Sequence, residues 1–354
     1  MLPRPYLLKL SFAGKTTVSQ GRTKGLPISA PTGQQALTFD QIRAAVGRLA
    51  GIAHRTPLLT SKILDARCGA TVFLKAEPFQ RGGSFKFRGA YNRLSLLDAD
   101  ERAKGVVAYS SGNHGAAVAL GASLLGITAV VVVPETGSPA KLVAIEGYGA
   151  EIRRYDPVTE SREEVAAALA EARSLTLIKP YDDYDVMAGQ GSIGVELAEQ
   201  AGELDLVLMP VGGGGLAAGV GTAVKALISG ATIIGVEPAG ADDTSRSLRA
   251  GHRVGLDVVD TIADGLRTPA PGELTFPINQ RHLEDVVTVP DAAIVEAMLF
   301  CFARLKVVVE PSGAVPLAAL LTGAVQAGGR RVGVVLSGGN IDPADFAFLQ
   351  AGGY

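Results

Sequence analysis

The feature that most constrains this chain is the alternation of strand-length apolar runs with alanine-rich runs of helical length. Strands are predicted at Thr71–Lys75, Gly105–Tyr109, Ala129–Val133, Glu151–Tyr155, Leu204–Val211, Thr232–Glu237 and Arg331–Leu336. Helices are predicted between them, among others at Phe87–Leu97, Gly115–Leu125, Ala140–Tyr148 and Arg162–Arg173. Successive side chains of a strand point to opposite faces, so an unbroken apolar run needs cover on both. Helices crossing between parallel strands supply that cover. The expected class is α/β, with mostly parallel, open, twisted sheets flanked by helices.

At 354 residues the chain is too long for one small core and suits two lobes. The folded part is expected to open near Thr38, with Thr38 or Asp40 capping an amphipathic helix. Residues 1–37 hold Arg4, Lys9, Lys15, Arg22 and Lys24 but no acid, and read as a disordered basic extension rather than a transit peptide. A net charge of −2 gives no reason to expect nucleic acid, and no apolar run has the length of a membrane helix. The two cysteines, Cys68 and Cys301, make neither a disulfide framework nor a zinc site, which points to a reducing, cytoplasmic setting.

In open α/β sheets, ligands bind beyond the carboxyl ends of strands. Four such segments stand out. In Gly82-Gly83-Ser84-Phe85-Lys86-Phe87, a lysine sits between aromatics at a helix entrance. The helix N-terminus and an apolar wall both disfavour its ammonium form. Ser110-Ser111-Gly112-Asn113-His114 offers hydroxyls and amides at another helix start, a cradle for a carboxylate. Gly212-Gly213-Gly214-Gly215-Leu216 lets backbone amides wrap a phosphate at a third. Ser337-Gly338-Gly339-Asn340 puts a hydroxyl at the end of the last strand. The third segment also fits a dinucleotide fingerprint through Gly212, Gly214 and Ala217, with Glu237 placed as a ribose-binding acid, so a nicotinamide oxidoreductase is a rival.

In this order the four segments resemble the serine/threonine dehydratase and serine racemase family of fold-type II pyridoxal 5′-phosphate (PLP) enzymes. Thr56-Pro57-Leu58, Ala188–Ser192, Ala263-Asp264-Gly265 and Glu310–Ala314 support the resemblance, which runs from about Thr38 to Leu349. It implies that Lys86 forms the Schiff base with PLP and that Phe85 packs near the ring. Asn113 would bond the phenolic oxygen, and Gly212, Gly213, Gly214, Gly215 and Leu216 would hold the phosphate. Gly265 would approach the ring backbone-first, Glu310 would lie among the cofactor residues, and Ser337 would pair with the pyridine nitrogen. A neutral hydroxyl there favours elimination over transamination.

The implied reaction removes water from L-serine, L-threonine or a related β-hydroxy amino acid, giving a 2-oxo acid and ammonia. Lys86 would take the Cα proton. Ser111, on the opposite face, could return it, which keeps serine racemisation open. Ser110, Ser111, Asn113 and His114 would bind the substrate carboxylate. Arg162, and alternatively Arg267, would clasp a second carboxylate and admit threo-3-hydroxyaspartate. The resemblance further implies Mg²⁺ or Ca²⁺ on the Glu237 and Asp243 carboxylates and the Ala241 carbonyl. It implies a large PLP-binding lobe of residues 38–104 and 183–354, a small closing lobe of residues 105–182, and a homodimer.

Overall fold

The computed structural model describes residues 36–136 and 139–354, so the expectation for the basic extension lies almost wholly outside the described residues. Two of its residues are described: Ala36 and Leu37, and Leu37 is buried. It packs with Ile42 just ahead of the helix Phe39–Leu49, a hydrophobic staple. Thr38 caps that helix, with Thr38 Oγ1 accepting from Gln41 N at 3.3 Å and Gln41 Oε1 accepting from Thr38 N at 2.8 Å.

The strands are β1 (Leu58–Leu59), β2 (Thr71–Ala76), β3 (Val106–Tyr109), β4 (Ala129–Pro134), β5 (Glu151–Tyr155), β6 (Thr176–Leu177), β7 (Leu206–Pro210), β8 (Thr232–Pro238), β9 (Asp285–Val289) and β10 (Arg331–Leu336). They form a six-stranded sheet in the order β1-β2-β10-β7-β8-β9 and a four-stranded sheet in the order β5-β4-β3-β6. Among these ten strands of the described residues, only β1, paired with β2, runs antiparallel.

The unbroken apolar runs divide by period two between the faces. In β7, Leu206 and Leu208 enter one core cluster while Val207 and Met209 enter another. In β4, Val131 and Val133 face one cluster and Val130 and Val132 the other. The first face of the large sheet is covered by the helix Pro311–Leu321, buried from Pro311 to Leu320. The other is covered by Tyr184–Ala201 and Gly215–Leu227, which pack on each other. Crossover helices thus place the carboxyl ends of β3, β7 and β10 next to helix N-termini.

The helix Lys86–Ser95 packs against both Asn113–Leu125 and Tyr184–Ala201. It meets the latter backbone to backbone: a methyl group on Gly189 would lie 2.5 Å from the Arg88 carbonyl oxygen and 2.6 Å from Gly89 Cα. Beside this seam lies a buried ionic cluster. Arg88, 1% exposed, holds Glu77 through Nε at 2.8 Å and Nη2 at 2.9 Å, and Glu196 through Nη1 at 2.6 Å. Lys75 Nζ donates to the other Glu196 oxygen at 2.6 Å, to Gln200 at 2.8 Å and to the Thr56 carbonyl at 2.7 Å. Two cations and two carboxylates are fully paired, as burial requires.

Candidate active site

Every residue that the sequence assigned to cofactor or substrate lines one cavity of about 330 Å³. Lys86 is the first residue of its helix. Its Nζ donates to the Pro180 carbonyl at 2.8 Å and lies 5.2 Å from the centre of the Phe85 ring. Burial pulls its pKa down to about 8, and the charge of Glu310 works against that fall. Phe85 N donates to the Ser337 carbonyl at 3.0 Å, so the end of β10 and the entrance of the lysine helix are one unit. Ser337 is buried at the cavity wall.

The Ser110–His114 segment starts the helix Asn113–Leu125. Ser110 Oγ accepts from Gly112 N at 3.2 Å, and Ser111 lines the cavity beside it. Asn113 Nδ2 donates to Glu310 Oε1 at 2.7 Å, while Asn113 Oδ1 accepts from Asn340 at 2.8 Å. These bonds fix which way the amide points. His114 is buried, with Nε2 2.9 Å from the Ile178 carbonyl, and burial lowers its pKa to about 3. It is a neutral ring at ordinary pH.

Gly212 to Gly215 run from the end of β7 into the helix Gly215–Leu227, with Gly214 at φ 90° in the left-handed region. Tyr181 packs against the loop, so a methyl on Gly215 would lie 2.9 Å from Tyr181 Cβ. Gly265 N donates to Ser312 Oγ at 2.9 Å, and a methyl on Gly265 would meet that same oxygen at 2.9 Å. Ser312, rather than the cofactor ring alone, therefore explains the need for glycine. Arg162 lies over the Tyr109 ring at 5.9 Å, with Nε on Glu163 at 2.8 Å. Arg267 also lines the cavity, its Nε donating to the Thr261 carbonyl at 2.7 Å.

A neutral-prone buried amine, a glycine loop at a helix N-terminus and a strand-end hydroxyl thus share one cleft. Residues 49–338 match the family described as pyridoxal-phosphate dependent enzyme. The chain belongs to the pyridoxal-phosphate dependent enzymes. It is 46% identical over 318 residues to the L-threo-3-hydroxyaspartate ammonia-lyase of a Pseudomonas species, covering 90% of this chain and 100% of that protein. Among solved structures it resembles maize serine racemase, with a TM-score of 0.86 and 41% identity over 90% of this chain and 98% of that one. It also resembles the serine racemase of Dictyostelium discoideum, with a TM-score of 0.82 and 40% identity over 86% of this chain and 99% of that one.

The nicotinamide reading fails on geometry as well. Glu237 is fully buried and spends both carboxylate oxygens on the helix Asp243–Ala250, accepting from Thr244 N at 3.0 Å and Ser245 N at 2.9 Å. It does not line the glycine-loop cavity. Neither do Ala241 and Asp243. Asp243 is buried with no hydrogen bond to either carboxylate oxygen among the described residues. Burial raises the Glu237 carboxyl to about 8, with Asp243 adding to the rise, and burial raises Asp243 to about 7.

A pyridoxal-phosphate dependent enzyme needs an uncharged lysine to capture its aldehyde. The rate at which cofactor-stripped protein recaptures PLP is expected to climb as pH rises towards about 8 and to flatten above it, because protonation below that point removes the nucleophilic lone pair. Stopped-flow absorbance of the bound cofactor reads this. A rate indifferent to pH across that range would contradict the assignment of Lys86.

Sequence reasoning missed Tyr109, Pro180, Tyr181, Thr268 and Ser312, which line the cavity. Tyr109 ends β3, and Tyr181 follows β6 by a few residues. The strand-end rule that found the other loops would have found Tyr109, whereas the two-residue strand before Tyr181 leaves no pattern for the rule to use. Ser312 sits in a helix and carried no such signal.

Proposed function

We propose that this chain is an ammonia-lyase that removes water from β-hydroxy amino acids and yields a 2-oxo acid and ammonia, with 3-hydroxyaspartate accepted beside L-serine and L-threonine. The observation that carries this reading is Lys86, a buried amine with a pKa of about 8, where the Phe85, Ser110–His114, Gly212–Leu216 and Ser337 segments meet. The cleft suits PLP, since the tetraglycine loop opens a helix, as a phosphate requires, and its other flank is filled by Tyr181.

When bound, PLP supplies an electron sink for charge developing at the substrate Cα. Lys86 would hold it covalently, and the Lys86 amine would take the Cα proton. Ser110, Ser111 and Asn113 bind the substrate carboxylate at the start of the helix Asn113–Leu125, while His114, neutral and tied to Ile178, shapes the wall. Loss of the β-hydroxyl as water is followed by uptake of water as ammonia leaves, so the net change is substrate to 2-oxo acid plus ammonia. Ser111, lining the same cavity as Lys86, supports a side activity that returns the proton to the other face of serine. We assign closure over the substrate to residues 105–182, which own the four-stranded sheet, moving against residues 38–104 and 183–354.

Arg162 selects the substrate. Glu163 holds its Nε, and its terminal nitrogens donate to no acceptor among the described residues. They form a fork for a second carboxylate. In a coupled assay for 2-oxo acid and ammonia, Arg162→Ala is expected to raise KM for threo-3-hydroxyaspartate about tenfold or more while leaving KM for L-threonine within about twofold. Equal losses on both substrates would remove Arg162 from this role. Failure of every β-hydroxy amino acid to release a 2-oxo acid would end the functional reading itself.

We further propose Mg²⁺ or Ca²⁺ at Glu237, the Ala241 carbonyl and Asp243. No group of three or more acidic, histidine or cysteine side chains is placed to hold a metal ion among the described residues, so the site would complete its shell with carbonyls and water. Two buried carboxylates, one of them without a hydrogen-bond partner, fit a cation. A hundredfold excess of ion over its Kd would stabilise the fold by ~2.7 kcal/mol, a rise of about 4 °C in Tm. Calorimetry with and without EDTA reads it, and Asp243→Asn is expected to abolish the response. No helix among the described residues is long and apolar enough to cross a membrane. A cytoplasmic homodimer remains our proposal from the family resemblance.

A further inference from the structure

We propose that Thr275 and Asn279, on the helix Thr275–His282, are positioning residues that aim the amides of the glycine loop at the cofactor phosphate. The inference rests on reading Gly212–Leu216 as the phosphate cradle, and it concerns what holds that cradle in shape.

Both side chains are fully buried and neither lines the cavity. Thr275 Oγ1 donates to the Gly213 carbonyl at 2.7 Å, and Gly272 N donates to the same oxygen at 3.3 Å. Asn279 Nδ2 donates to the Gly214 carbonyl at 3.1 Å. In a planar trans peptide the C=O and N–H of one unit point in opposite directions. Drawing the Gly213 carbonyl back towards Thr275 therefore turns the Gly214 N–H the other way. The Gly214 carbonyl, which also accepts from Ala218 N at 2.9 Å as the first bond of its helix, is held in the same way by Asn279, and this turns the Gly215 N–H the other way. Neither amide has an acceptor among the described residues, as befits the first amides of the helix Gly215–Leu227. Both glycines line the cavity.

The loop would not hold this shape unaided. Four consecutive glycines leave the backbone free to rotate its peptide planes, and a flipped plane would present a carbonyl oxygen to an anion. The anchor is itself anchored: Asp182 Oδ1 accepts from Leu274 N at 2.8 Å and from Thr275 N at 3.4 Å, fixing the first turn of the supporting helix. Gly214 fits against it so closely that a methyl there would lie 2.8 Å from Thr275 Oγ1. Asn279 Oδ1 is buried and makes no hydrogen bond among the described residues, so the amide acts here through its donor alone.

The test compares PLP with pyridoxal, which offers Lys86 the same aldehyde but no phosphate. Cofactor-stripped wild type, Thr275→Val, Thr275→Ser and Asn279→Leu are titrated with each, and the ratio of the two Kd values is read. Thr275→Val and Asn279→Leu are each expected to weaken PLP about tenfold and to leave pyridoxal within about twofold. Thr275→Ser, which keeps the donor, is expected to restore the wild-type ratio. A wild-type ratio in both Thr275→Val and Asn279→Leu, or equal loss of both ligands, overturns the proposal. A wild type that binds pyridoxal as tightly as PLP overturns the cradle reading beneath it. Should one variant fail to fold, the other decides.

Discussion

Lys86→Ala protein is expected to lose the absorbance of the Schiff base with the protein, to resist covalent tagging by borohydride, and to release 2-oxo acid at least about a thousandfold more slowly than wild type. Two functions are lost with one amine. The cleft keeps its glycine loop, Ser337 and Asn113, so PLP is still expected to bind without its covalent bond. The proton at Cα, however, has no base of matched pKa: His114 titrates at about 3, and the carbonyl that Lys86 Nζ now engages, Pro180, is no base at all. Mass spectrometry after reduction checks the first half and a lactate-dehydrogenase-coupled assay the second. A variant that still carries a reducible, protein-bound cofactor would sink the assignment.

The second large effect is on stability. Arg88→Met removes the cation shared by Glu77 and Glu196 while keeping most of the side chain's apolar volume. Lys75 still pairs with Glu196 but reaches only its Oε2, and Glu77 keeps only the Thr56 hydroxyl at 2.6 Å. Leaving a buried carboxylate uncompensated costs about 3–5 kcal/mol, or roughly 4–7 °C in Tm for a chain of this size. Thermal unfolding of the cofactor-loaded protein measures it, with Arg88→Lys expected to fall between because it keeps the charge and loses the fork. A loss under about 1 kcal/mol would mean that the cluster is solvated and carries little.

Neither residue of the main ion pair looked unusual in the sequence. Nothing local marks Arg88 or Glu77 for burial, since burial of a charge depends on partners that lie far along the chain. Glu196 joins Lys75 across 121 residues of sequence and Arg88 across 108. What was legible followed from local rules. Doubly covered strands leave an unbroken apolar run, which is why β7 and β10 were found within two residues of their bounds. The helix Arg162–Arg173 was found in full, its cap being Ser161. Two-residue strands such as β1 and β6 leave no period to detect. The site was legible because its loops sit where parallel strands end, and Thr275 and Asn279 escaped because they act from behind that layer.

The glycine seam between the lysine helix and Tyr184–Ala201 has a practical corollary for anyone reshaping substrate scope. With Gly189 set directly against the Arg88–Gly89 backbone there is no side-chain cushion to absorb a change, so enlarging Gly189 would tilt the axis that carries Lys86. Mutant libraries that spare residues 86–95 and 186–192 and randomise the mouth around Tyr109, Arg162 and Arg267 should therefore retain far more coloured, folded members than libraries spread evenly along the chain.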